Sequence, residues 1–167
     1  MAPMLIILGG RSGTGKTTLA RALARELAAV HVRIDTIEAA IAASGAAAGE
    51  LGYRVGYAVA ADNLRLGRIV IADSVNPLEI TREAWRRTAA EAGVPAFEIE
   101  IICSDAALHR RRVETREADT PAQRLLTWDD VRKREIQPWP GNHLVLDTAG
   151  RSVAECIAAI IDALGTP

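Results

Sequence analysis

Residues 5–18 read Leu-Ile-Ile-Leu-Gly-Gly-Arg-Ser-Gly-Thr-Gly-Lys-Thr-Thr. The apolar run Met4 to Leu8, closed by Gly9-Gly10, predicts a strand buried on both faces. Thr14 to Ala29 predicts a helix, with Leu19, Leu23 and Leu27 recurring at helical spacing. Between them, Gly10-Arg11-Ser12-Gly13-Thr14-Gly15-Lys16-Thr17 fits G-x-x-x-x-G-K-[ST] at every fixed position. Glycines let the backbone curl so that N–H groups point at phosphate oxygens, and the helix that follows adds the positive end of its dipole. Lys16 is one of only two lysines in a chain whose other basic residues are arginine. A compact charge on a flexible stem reaches β- and γ-phosphates, which a planar guanidinium does less well. The Thr17 hydroxyl is expected to meet Mg²⁺. Residues Gly10 to Thr18 are thus expected to hold the phosphates of a nucleotide.

Outward from this stretch the chain alternates strands and helices. Val30 to Ile34 reads as a second strand ending at Asp35, and Thr36 to Ala48 as a short helix and loop. Tyr53 to Leu66 reads as a helix, Arg68 to Ala72 as a third strand ending at Asp73, and Pro77 to Ala92 as an amphipathic helix. Phe97 to Cys103 is a fourth strand, and Ser104-Asp105 caps a helix to about Arg116. Glu117 to Leu126 is polar and carries a proline. A helix over Trp128 to Ile136, a fifth strand over His143 to Leu146 and a last helix to Leu164 follow. No repeat or linker divides the chain, so one domain over residues 1–167 is expected. The alternation predicts a parallel sheet of about five strands covered on both sides. In such sheets ligands sit at the carboxyl ends of strands, where Asp35, Asp73 and the glycine loop all fall.

Composition sets further bounds. The 167 residues are 49% hydrophobic and 25% charged, with net charge -1. That balance argues against a protein that lives by wrapping nucleic acid. Cys103 and Cys156 have no metal-ligand or redox spacing and read as buried thiols in a reducing compartment. The first apolar run is too short to span a membrane and has no basic leader, so a cytoplasmic location without membrane contact is expected.

Nucleotide binding alone does not separate a kinase from a switch. A GTPase would show Asp-x-x-Gly after its third strand and Asn-Lys-x-Asp later; here that strand leads to Asp73-Ser74-Val75-Asn76, and the chain has no Asn-Lys pair. A phosphotransferase needs a carboxylate for the acceptor hydroxyl, help with the metal, and positive charge on the transferring phosphoryl. Asp35 is the candidate to bind and deprotonate the acceptor, a role compatible with capping the helix that follows. Asp73 ends an unbroken apolar strand in the manner of a Walker-B acid; it would hold Mg²⁺ or the acceptor, or else serve as a turn residue. Within His-Arg-Arg-Arg-Val-Glu-Thr-Arg, residues 109–116, Arg112 and Arg116 are four apart, share a helix face and could clamp phosphates. The alternative is a solvated face paired with Glu114 and Glu117. A polar lid around residues 110–127 would close over the nucleotide and exclude water.

These pieces resemble the P-loop kinases of the AAA-type zeta-toxin and polynucleotide-kinase-like group, close in style to small sugar and antibiotic kinases. The matching segments are GGRSGTGKTT, Asp35, IVIADSVNPLEITREAW, RRRVETR and LDTAG, in the family's order. The resemblance implies a three-layer P-loop NTPase of the nucleoside-kinase-like kind, with a parallel five-stranded sheet of order 2-3-1-4-5, an arginine-bearing lid and ATP as donor. It further implies that Asp35 is the catalytic base, that Asp73 and Asn76 help hold the acceptor, and that the turn from Thr148 to Val153, Ser152 included, lies near the adenine. Arg82 is expected to approach the acceptor or to face solvent. Two tryptophans and an arginine-rich turn in Thr127 to Asn142 either pack that segment against the core or shape the acceptor pocket.

The expected activity is ATP- and Mg²⁺-dependent transfer of the γ-phosphate to a hydroxyl of a nucleoside, sugar or antibiotic, by a monomer or homodimer. The alternatives are a kinase of nucleic-acid 5′ ends, which the weakly acidic balance disfavours, and an ATP-binding regulatory module without transferase activity.

Overall fold

A computed structural model describes residues 1–118 and 125–165. Five strands form one parallel sheet: β1 (Leu5–Gly9), β2 (Val30–Arg33), β3 (Val70–Asp73), β4 (Ala96–Ile102) and β5 (Leu144–Asp147), in the spatial order β2-β3-β1-β4-β5. The order expected is the order found. β1 lies at the centre because it is apolar on both faces, and all five of its residues are buried.

Period-two alternation along β1 divides the core in two. Ile6 and Leu8 face α1 (Lys16–Glu26) and α7 (Val153–Gly165), packing with Leu19, Leu23, Cys156 and Ile160. Leu5 and Ile7 face the other way, with Trp85, Ala89, Ala60 and Leu64 from α4 (Glu79–Glu91) and α3 (Leu51–Arg65). α2 (Ile34–Ala43) packs beside α3, and two short helices, α5 (Ala106–Glu114) and α6 (Trp128–Lys133), pack against each other. Helices therefore cover both faces, leaving the carboxyl edge of the strands as the free rim.

Several boundaries move for physical reasons. β2 stops at Arg33 and α2 begins at Ile34, so Asp35 sits in the first turn of a helix rather than at a strand end. The residue preceding that helix is Arg33, and no side chain caps it, so Asp35 is not its cap. The acid instead lies near the positive end of the helix dipole. α5 ends at Glu114 with Thr115 as its C-cap, so Arg116 lies beyond the helix and shares no helix face with Arg112. Asp105 does cap α5, accepting from the Leu108 N–H at 2.9 Å. α4 starts at Glu79 rather than Pro77. Part of the expected lid, residues 119–124, lies outside the described residues. Cys156 is buried as expected, but Cys103 is half-buried, with its sulfur 3.7 Å from Arg112 Nη1.

Candidate active site

The glycine loop crosses the carboxyl end of β1 and is built from the outside inward. Gly10 has φ 130, and a Cβ there would fall 2.1 Å from the Ile101 carbonyl oxygen. Gly13, at φ 84, would drive a Cβ to 2.5 Å from Val113 Cγ2, so α5 rests directly on the loop. Gly15, at φ 102, takes the left-handed conformation immediately before α1. Two of the loop's carbonyls are held by side chains of later elements: the Ser12 oxygen meets His109 Nε2 at 2.8 Å, and the Thr14 oxygen accepts from Thr148 Oγ1 at 2.8 Å. Carbonyls engaged in this way are compatible with a nest of inward N–H groups.

Lys16 is buried at the mouth of that nest, 7% exposed, and its Nζ donates to the Arg11 carbonyl at 2.8 Å. Burial lowers its pKa from 10.5 to about 8, against the opposing pull of Asp73 and Asp35. A buried ammonium resting on one carbonyl is poorly solvated and gains strongly from an anion. That fits a polyphosphate.

Asp73 stands beside it. The register aligns Asp73 with Leu8 on β1 and Arg33 on β2, which carries the acid to the rim next to the loop. Its Oδ2 lies 3.0 Å from His31 Nε2 and 4.0 Å from Arg33 Nε. Burial pushes its carboxyl up, but the His31 hydrogen bond, the charge of Lys16 and a hydrogen bond from Thr17 outweigh burial and hold it below the usual carboxylate range. An ionised carboxylate touching the Thr17 hydroxyl is a fitting pair for Mg²⁺. Among the described residues no group of three or more His, Cys, Asp or Glu could hold a metal alone. Thr17 and Asp73 could meet a metal ion only together with oxygens from a bound ligand.

Asp35 is more exposed, 3.6 Å from Arg33 Nη2 and 3.9 Å from Arg116 Nη2. One cleft of about 490 Å³ gathers Lys16, Thr17, Asp35, Asp73, Arg112 and Arg116. Ser12, Gly13, Gly15 and Thr18 also line it, while Gly10, Arg11 and Thr14 support the loop from behind, on a second cavity. Arg112 reaches this cleft tethered: its Nη1 donates to Thr148 Oγ1 at 2.8 Å, locking the start of the fifth strand's loop to α5.

Several expected site residues are placed elsewhere. The Asn76 amide is fully buried, donating to the Leu8 carbonyl and accepting from Trp85 Nε1, so its side chain supports the core rather than an acceptor. Arg82 neither faces solvent nor lines the cleft. It is 0% exposed and donates to Glu79 and to the carbonyls of Asn76, Gln137 and Pro138. Ser152 lines neither cavity; its hydroxyl and N–H both bond Glu155, capping α7, while its neighbours Arg151 and Val153 line the cleft. The Arg11 side chain turns away from the cleft to the carbonyl end of α6. Within Thr127 to Asn142 the tryptophans pack: Trp128 sits edge-on to His109, and Trp139 lies over Gly9 beneath Arg82.

His31, Arg33 and His109 are the site residues that sequence reasoning passed over, and Thr148, expected only as the start of a turn near the adenine, holds the Thr14 carbonyl. His31 and Arg33 carried a signal, because two polar side chains at alternate positions of a short buried strand need partners. His109 carried none, since its role is to hold a carbonyl of a loop distant in sequence.

The fold and the site define the P-loop NTPase architecture, a central parallel sheet whose first strand feeds the glycine loop. The family model for an AAA domain matches residues 5–134, and the chain belongs to that family. No curated protein matches the chain. Solved structures match over nearly all of it. The APS kinase CysC of Mycobacterium tuberculosis, in complex with AMPPNP and APS, is 24% identical with a TM-score of 0.75, covering 99% of each chain. Chaetomium thermophilum Kti12, in complex with ADP-AlF3, is 21% identical with a TM-score of 0.70, covering 97% of this chain and 100% of that one. A gluconokinase from Sinorhizobium meliloti is 16% identical with a TM-score of 0.62, covering 97% and 95%. At these identities the likeness is one of fold. No helix among the described residues is long and apolar enough to cross a membrane.

Proposed function

We propose that the protein is an ATP- and Mg²⁺-dependent phosphotransferase that moves the γ-phosphate to a hydroxyl of a small molecule. The observation that carries this reading is the shared cleft: the glycine loop, Lys16, Asp35, Asp73, Arg112 and Arg116 converge on one space. The loop amides and Lys16 would hold the β- and γ-phosphates, and Thr17 with Asp73 would hold Mg²⁺, which when bound neutralises charge on the transferring group. Asp35, exposed beside the loop, has room to accept a proton from an incoming hydroxyl. Arg116, 3.9 Å from Asp35, is positioned to meet charge that develops between donor and acceptor. Arg112 would border the nucleotide from the Thr148 side. The complexes of similar folds with AMPPNP and with ADP-AlF3 support a nucleotide in this loop.

The test is a mass-spectrometric search for a phosphate mass gain, with Mg-ATP, across nucleosides, sugars, sugar acids, antibiotics and 5′-hydroxyl oligonucleotides. Product on a small hydroxylated acceptor supports the reading. Product on oligonucleotides alone, with steep salt dependence, would reassign the acceptor class. ATP-dependent complex formation without any phosphorylated product would favour a regulatory module.

A further inference from the structure

The segment 127–142 forms a strap from the donor loop to the acceptor end of β3. At one end, Arg11 Nη1 donates to the Val131 carbonyl at 2.7 Å and to the Arg134 carbonyl at 2.9 Å. These oxygens end α6, where a cation is favoured both by the free carbonyls and by the helix dipole. Trp128 reinforces the attachment through His109, which reaches the Ser12 carbonyl. At the other end, the Gln137 N–H donates to the Pro77 carbonyl at 2.8 Å, Gln137 Oε1 accepts from the Glu79 N–H at 2.8 Å, and Arg82 donates to the Gln137 and Pro138 carbonyls. Pro77 and Glu79 lie four and six residues after Asp73, on the loop that leaves the carboxyl end of β3.

Arg11 joins this strap to the lysine. Its side chain holds α6, while its own carbonyl accepts from Lys16 Nζ at 2.8 Å and from Thr14 Oγ1 at 2.9 Å. A polyphosphate in the nest competes with that carbonyl for the Lys16 ammonium. When Lys16 moves to phosphate, the Arg11 peptide loses one of the bonds that orient it, and the guanidinium on the same residue carries the change to the strap. We propose that Arg11 is a positioning residue that couples filling of the donor loop to the placement of the 127–142 strap on the acceptor side. The coupling rests on the nucleotide-binding reading of the loop.

Hydrogen exchange of the full chain, with and without Mg-AMPPNP at a concentration shown by calorimetry to saturate, tests it. In the wild type, amides in 12–18 become protected and amides in 128–138 change their exchange rate by about fivefold or more, the low end of ordinary coupling between sites. In Arg11→Ala, protection in 12–18 reports bound nucleotide while the response in 128–138 is lost; Arg11→Lys, which keeps one charged donor, retains part of it. A wild type that protects 12–18 without any response in 128–138 overturns the proposal. So does an Arg11→Ala protein that responds like the wild type. Absence of protection in 12–18 of the wild type defeats the nucleotide reading itself, and the coupling with it. Should Arg11→Ala fail to fold, Arg11→Met carries the same comparison, because it keeps an unbranched stem and has no N–H donor.

Discussion

His31 Nε2 and Asp73 Oδ2 lie 3.0 Å apart across neighbouring parallel strands, so an edge-strand histidine holds the acid that faces the phosphate loop. Thr17 also donates to this carboxylate, and Arg33 Nε lies 4.0 Å from it. Partners that orient a metal-binding group from behind typically tune affinity for the ion rather than the chemistry.

Replacing His31 with alanine is therefore expected to raise the Mg²⁺ concentration for half-maximal phosphoryl transfer by about tenfold. The loss of turnover at saturating Mg²⁺ should be smaller. A Mg²⁺ titration of activity reads both quantities. A drop in turnover with an unchanged Mg²⁺ midpoint would remove Asp73 from the metal site.

Asp35→Asn keeps the shape of the side chain and removes its basicity. Turnover should fall by about 10²- to 10⁴-fold, the usual worth of a positioned general base. Calorimetric affinity for Mg-ATP should stay close to that of the wild type, because the role proposed for Asp35 is toward the acceptor rather than the nucleotide. Turnover unchanged by the substitution would show that another group takes the proton.

The depressed pKa of Lys16, about 8, sets a pH dependence. A bound polyphosphate favours the charged ammonium, so above pH 8 binding must take up a proton. Affinity for Mg-AMPPNP is expected to be level below about pH 8 and to fall above it, by up to about tenfold per pH unit. Calorimetry in buffers of different ionisation enthalpy detects the proton uptake directly, and Lys16→Arg, which stays charged, should abolish it. Stability runs the other way. Between about 8 and 10.5 the unfolded chain holds a proton that the folded, ligand-free protein does not, so this group's contribution to stability rises with pH over that window.

Arg82 carries a stability prediction rather than a catalytic one. Its removal leaves the Asn76, Gln137 and Pro138 carbonyls without their donor and uncovers the face of Trp139, whose ring centroid lies 4.7 Å from the guanidinium carbon. Arg82→Ala should cost about 3–5 kcal/mol in urea unfolding, as for other broken buried charge networks. Arg82→Lys should recover less than half, because an ammonium cannot fork to several carbonyls at once. An Arg82→Lys protein of wild-type stability but altered acceptor KM would return Arg82 to the acceptor site.

The donor half of this protein was legible in the amino-acid sequence because its determinants are local. An apolar run, a glycine loop at fixed spacing and a leucine-spaced helix each act through their own backbone, and alternating elements leave few topologies open. The glycine loop accordingly joins β1 to α1 as expected, and Asp35 and Asp73 line the same cleft as Ser12, Gly13 and Gly15 to Thr18, whereas Gly10, Arg11 and Thr14 lie on a second cavity. The acceptor half was not legible in this way. Whether Asn76 and Arg82 point at a ligand or into the core depends on Trp85, Gln137 and Trp139, which are close in space and mostly distant in sequence.

The same reasoning separates Arg112 from Arg116. Their spacing of four fits one helix face, but the helix ends at Glu114, and Arg112 is claimed by Thr148, 36 residues away. Arg11 shows the limit most plainly. Its place in the loop motif follows from spacing alone, yet its guanidinium reaches α6, more than a hundred residues on. By itself the amino-acid sequence determined where the glycine loop would lie, since a strand, a turn and a helix in succession need only consecutive residues. Only the tertiary structure decided which arginines face the cleft and which are structural, because a long cationic side chain goes wherever the packed chain leaves carbonyls and carboxylates unpaired.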